Sequence, residues 1–162
     1  MDSKSLLQMV DHSRLERIAQ HLPDTTDLTL IVLKGHLLGE ELLDAIIQSH
    51  CKDASVLQGV EIGHLVKIKL AAALTGDIGA QFVWNMCEKL NSLRNALAHK
   101  LEHPLAKKRL ESFLVLFRNH ELEFGPIGSE PKDLRRAIVF LLGCLVAIQT
   151  GPSLLDALRI EV

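Results

Sequence analysis

Apolar residues recur along this chain every three to four positions, and strict alternation is hard to find. That period marks helices that bury one face. It predicts a first helix over 5–21, with Leu6, Met9, Val10, Leu15 and Ile18 on the inner side. Pro23 breaks the pattern, and Asp24, Thr25, Thr26 and Asp27 offer side-chain oxygens to cap a new helix. A long helix is expected over 26–51, where Leu28, Ile31, Val32, Gly35, Gly39, Leu42 and Ile46 fall on one face at ~100° per residue. Residues 52–63 read as a connection. Further helices are predicted over 64–74, 80–101, 104–119 and 133–149, with a short last turn at 152–158. Gly76-Asp77 supplies turn chemistry. Pro104 suits a first helical position, where its missing N–H costs nothing. The clearest loop is Gly125-Pro126-Ile127-Gly128-Ser129-Glu130-Pro131. The fold class expected is all-α: an up-and-down bundle of five to six helices, one domain over 1–162, with a core at 26–120 and an apolar C-terminal helix at 133–149.

Two features sharpen that picture. Gly35 and Gly39 lie within the apolar stripe of the long helix, where glycine costs ~1 kcal/mol against alanine. Their spacing suits the close approach of another helix. The run 137–148 is apolar throughout but well short of the ~20 residues that span a bilayer. Together they offer more apolar surface than a small bundle readily hides, which favours self-association, though a buried central helix could absorb it.

Composition narrows the function classes. The chain has 162 residues, 48% hydrophobic, 23% charged and 4% aromatic, with five Phe, one Trp and no Tyr. Such aliphatic content excludes a disordered chain and argues against a base-stacking nucleic-acid platform. A net charge of −2 supplies no global basic field for nucleic acid or acidic lipid. Cys51, Cys87 and Cys144 are odd in number and widely spaced, which argues against a disulfide framework or a zinc ribbon. With no signal-like start at Met1-Asp2-Ser3-Lys4, the expectation is a reduced cytoplasmic protein without membrane contact or cofactor.

The predicted fourth helix carries the candidate chemistry. With Leu90 as zero, Val83, Met86, Leu93, Leu97 and Leu101 fall within ~60° of it and define a buried face. Glu88, Asn91, Asn95, His99 and Glu102 form a polar stripe at ~100–180°, and Arg94 stands on the border at ~40°. Asn95 and His99 are i,i+4 neighbours. Arg94 and His99 diverge by ~140° on an ideal helix. They converge only through side-chain reach, a helix end near His99 or a second copy of the chain.

Leu90-Asn91-Ser92-Leu93-Arg94-Asn95-Ala96-Leu97-Ala98-His99 resembles the Arg-x(4–6)-His signature of the HEPN superfamily, in which a polar residue commonly follows the arginine. The likeness extends to the order of helices and covers about 26–119. It implies metal-independent RNA cleavage by a homodimer whose motif helices form one composite site, in a toxin or defence effector with an antitoxin or regulatory protein as partner. On that reading His99 does acid–base work on the ribose 2′-OH and the leaving 5′-oxygen. Arg94 holds the phosphate through paired N–H donors, and Asn95 orients the imidazole or phosphate. Asn91 and Glu40 are supporting candidates, with Glu40 and Asp44 either reaching Arg94 or facing water. Lys100, Lys107 and Lys108 are candidates for the RNA backbone.

Members of the toxin branch controlled by nucleotidylation often carry a Tyr after the His. Here His99-Lys100-Leu101 stands in its place. Many HEPN members are also non-cleaving scaffolds. A looser likeness joins Leu65-Val66-Lys67-Ile68-Lys69-Leu70 and the Arg-to-His ending to the mannitol operon repressor family, which implies a regulator acting through protein contacts. His99-Lys100-Leu101-Glu102-His103 matches a zinc-peptidase string, but Pro104 pushes His103 out of a helix and a third ligand is missing. No metal site is expected, and His12, His21, His36, His50, His64 and His120 read as surface or capping residues. The clusters around Lys107-Lys108-Arg109 and Lys132-Arg135-Arg136 read as solvated faces.

Overall fold

The structure, a computed structural model, describes residues 12–76, 80–99, 104–120 and 131–150. They form six α-helices and no strand: α1 His12–His21, α2 Leu28–His50, α3 His64–Thr75, α4 Gln81–His99, α5 Pro104–His120 and α6 Pro131–Thr150. A 3-10 turn at Ala54–Leu57 interrupts the connection between α2 and α3. The expected all-α bundle is present. Residues 1–11 and 152–158, part of the first predicted helix and the predicted last turn, lie outside the described residues, as does most of the Gly125–Pro131 loop.

Local chemistry sets the helix ends. Asp27 caps α2, its Oδ1 accepting the Leu30 N–H at 3.0 Å, while its own N–H donates to Thr25 Oγ1 at 3.2 Å. Gly76 closes α3 at φ 61°, a left-handed conformation that glycine adopts without a Cβ penalty. Prolines open both α5 and α6. α6 therefore begins two residues before the predicted 133, because Pro131 belongs to the first helical turn rather than to the loop.

The apolar run of α6 is absorbed at the centre of the bundle. Ala137, Ile138, Leu141, Leu142, Leu145 and Val146 are all at most 1% exposed. α6 packs chiefly on α2 and also touches α1, α4 and α5. Gly35 explains part of the α2–α6 contact. A Cβ there would stand 2.6 Å from Ile138 Cγ2, whereas one on Gly39 would meet Leu142 Cδ2 at an ordinary 3.7 Å. Only the first glycine is demanded by packing. A side chain, not another backbone, fills the space it leaves.

α4 presents the predicted face inward, with Val83, Met86, Leu90 and Leu93 buried and Leu97 half-buried. Leu101 lies outside the described residues. Cys51, Cys87 and Cys144 are free thiols. Burial pushes the Cys87 thiol far up and Cys144 up to about 12, so both stay protonated and inert near neutral pH. No helix among the described residues is long and apolar enough to cross a membrane.

Candidate functional site

Three helices bring their polar positions to one seam. His36, Glu40 and Asp44 recur every four residues along α2, which places them on a single helix face. His64 and Lys67, three apart, do the same on α3, and Asn91 and Arg94 on α4. Apolar residues on the remaining faces pack the three helices together, so these short polar rows are held against one another.

The seam is an alternation of rings and charges. The His36 and His64 imidazoles stack with centroids 3.9 Å apart and planes 30° from parallel. His36 Nε2–H donates to Asn91 Oδ1 at 3.2 Å, tying α2 to α4. Lys67 Nζ bridges the next turn, donating to Glu40 Oε1 at 3.0 Å and Asp44 Oδ2 at 2.8 Å. The second Glu40 oxygen stands 4.0 Å from His64 Nδ1. That nitrogen is buried and has no hydrogen-bond partner. Lys69 and Glu88 pair between α3 and α4 further along.

Electrostatics fix the protonation states. Burial pulls His64 down to about 4, aided by His36, Lys67 and Arg94 and opposed by Glu40. Burial also holds His36 below its ordinary value; Arg94 adds to that, while Asn91 and Glu40 oppose it. Both imidazoles are thus neutral near pH 7. Burial would raise the Glu40 carboxyl, but Lys67 outweighs it and holds the group below the usual carboxylate range. For Lys67, burial favours the neutral amine, yet Asp44 and Glu40 together push its pKa up. An ionised carboxylate therefore faces two neutral imidazoles.

The residues singled out from sequence divide around this seam. Arg94 is half-buried, close enough for its charge to act on both histidines, and its Nη1 donates to the exposed Asn95 Oδ1 at 3.1 Å. Asn91 holds His36 rather than a phosphate. Glu40 neither reaches Arg94 nor merely faces water: it pairs with Lys67, whose ammonium is nearer and is shared with Asp44. His99 closes α4 one turn beyond Asn95, and its side chain, like Lys100 and His103, lies outside the described residues. Lys107 and Lys108 are exposed on α5. With Lys89, Ser112 and Leu116 they line an open hollow of about 600 Å³. Lys89 stands about 140° round α4 from Arg94, so this hollow opens to one side of the Arg94–Asn95 pair. Arg135 and Arg136 are not a free basic face, because Arg135 reaches the Leu22 carbonyl at 3.5 Å and Arg136 pairs with Asp133 at 3.5 Å.

Reading His36 and His64 as surface or capping residues is corrected. His36 is 7% exposed and His64 is stacked on it. The available signal was the His36-x-x-x-Glu40 spacing on one helix face. Its third member lies 24 positions downstream on another helix, beyond the reach of periodicity. His50 does behave as a helix-end residue, with Nδ1 at 2.9 Å from the Ile46 carbonyl. No protein-family model matches this chain, and neither the curated proteins nor the solved structures compared with it include a match.

Proposed function

We propose that this protein is a HEPN-like endoribonuclease that works as a homodimer without metal chemistry. The observation that supports it is the pose of the motif helix. α4 stays helical through His99, and its inner face is locked into the core. Arg94 and Asn95 are bonded to each other at the surface, one turn before His99. A guanidinium held in this way presents N–H donors that suit a phosphate. An imidazole one turn on suits proton transfer at the 2′-OH and the leaving 5′-oxygen. The small net charge of −2 is consistent with a substrate bound at a local site rather than along a broad basic surface. As a toxin or defence effector, such an enzyme would be restrained by an antitoxin or regulatory protein.

The test is cleavage of total or transfer RNA by the wild type, His99→Ala and Arg94→Ala, with chelator present and folding checked by circular dichroism. Loss of an acid–base or phosphate-holding group lowers the rate by about 10²–10⁴-fold. Equal cleavage by all three, or none by any of them while folded, refutes the nuclease reading.

A second reading, a non-catalytic HEPN-like or repressor-like interaction protein, is favoured by one observation. Val56 and Val60 in the connection between α2 and α3, and Leu65 and Val66 in the first turn of α3, are each at least half exposed. Folded wild type that leaves RNA intact but captures a protein partner through this segment would support it.

A further inference from the structure

His36, Glu40 and His64 take no part in the RNA chemistry above, yet their arrangement is that of a ligand set. One donor atom from each lies within 4.8 Å of those of the other two. α2 supplies two donors at i,i+4, a spacing that points both side chains to the same side, and the first residue of α3 supplies the third. The free donors of His64 and Glu40 stand close to each other. His64 Nδ1 is buried without a hydrogen-bond partner, 4.0 Å from Glu40 Oε2. His36 spends its Nε2–H on Asn91, which leaves the lone pair of the neutral ring on Nδ1. Glu40 gives its other oxygen to Lys67.

We propose that His36, Glu40 and His64 bind one divalent transition-metal ion of the zinc class, with water completing its coordination, and that the ion pins α2 to α3. With zinc–nitrogen and zinc–oxygen bonds of roughly 2.0–2.2 Å, a tetrahedral ion sets two donors about 3.4 Å apart. The His64–Glu40 pair, at 4.0 Å, stands just outside that spacing, and side-chain rotation closes it together with the wider pairs. Around the ligands stand the partners such a site uses. Asn91 fixes the tautomer of His36, and Lys67, itself held by Asp44, orients Glu40. The Lys67 and Arg94 charges oppose a bound cation, and the Glu40 and Asp44 carboxylates offset them. The site is therefore weaker than a four-ligand structural zinc site.

The experiment uses the full chain, stripped with chelator and dialysed, then titrated with Zn²⁺ by calorimetry and with Co²⁺ by visible absorption. Expected are one equivalent of tightly bound ion, visible d–d bands of Co²⁺ and a higher midpoint of thermal unfolding with metal. Glu40→Gln and His64→Ala weaken binding by more than about 100-fold, and Asn91→Ala by about 10–100-fold. His103→Ala leaves it unchanged, which separates this site from the His99–His103 string. Should His64→Ala fail to fold, the nearly isosteric Glu40→Gln still carries the test. Folded wild type with no binding tighter than about 0.1 mM overturns the proposal, as does Glu40→Gln that binds as wild type does. Neither result bears on RNA cleavage.

Discussion

Gly35 and His64 show what single residues settle in this molecule. Ile138 occupies the space that any side chain at 35 would need, and it is fully buried in α6. Gly35→Ala is expected to destabilise the protein by about 1–3 kcal/mol, the usual cost of overpacking. Gly39→Ala has ordinary clearance and should be neutral, or stabilising by up to ~1 kcal/mol through helix propensity. Urea denaturation of the two variants distinguishes them. The sequence marks both glycines alike, because the stripe shows that each faces the core without showing what stands opposite. His64 makes a pH prediction. Its folded pKa of about 4 lies below the ordinary 6.5, so the unfolded chain binds the proton more readily. The stability it contributes is present in full above pH 6.5 and is lost as pH falls from 6.5 towards 4. In chelated protein, unfolding free energy should drop across that window, and His64→Asn should flatten the drop. A slope unchanged by the substitution would contradict the burial argument.

At the scale of elements, the helices were legible and the seams between them were not. α2 to α6 fall within two or three residues of the ends that periodicity, capping and proline placement predict, because those signals are local. The apolar run of α6 was ambiguous between self-association and burial, since periodicity measures how much surface must be hidden but not where. Its inner face is buried chiefly against α2, while Val139 in the same run stays exposed. Truncating that helix at its centre is therefore costly. Leu145→Ala, at a fully buried position, should lose about 2–5 kcal/mol in equilibrium unfolding. A loss below ~1 kcal/mol would place α6 at the periphery. The polar seam was missed for the complementary reason. His36, Glu40 and Asp44 look like a solvated row on α2 alone, and only the facing rows on α3 and α4 turn them into a part-buried cluster.

For the whole molecule, the structure regroups residues that the sequence sets together, with Arg94 at the border of the histidine seam. Glu40 and Asn91, grouped at first with Arg94 and His99, belong instead with His36, His64 and Lys67. What remains for RNA is the Arg94–Asn95 turn and His99 at the end of the same helix. The two clusters imply different chemistry. On the proposed reading, acid–base catalysis by His99 would activate the ribose 2′-OH against the neighbouring phosphate, and the products would carry a 2′,3′-cyclic phosphate and a 5′-hydroxyl. Hydrolysis by metal-activated water at the seam would leave a phosphate on one end without the cyclic form, and would stop when the metal is removed. The most direct measurement is mass spectrometry of the ends of RNA cut by the wild type, with and without chelator. Cyclic phosphate and 5′-hydroxyl ends in both conditions, and absent with His99→Ala, are predicted. Linear phosphate ends formed only when metal is present, or ends that persist with His99→Ala, would contradict the proposed mechanism.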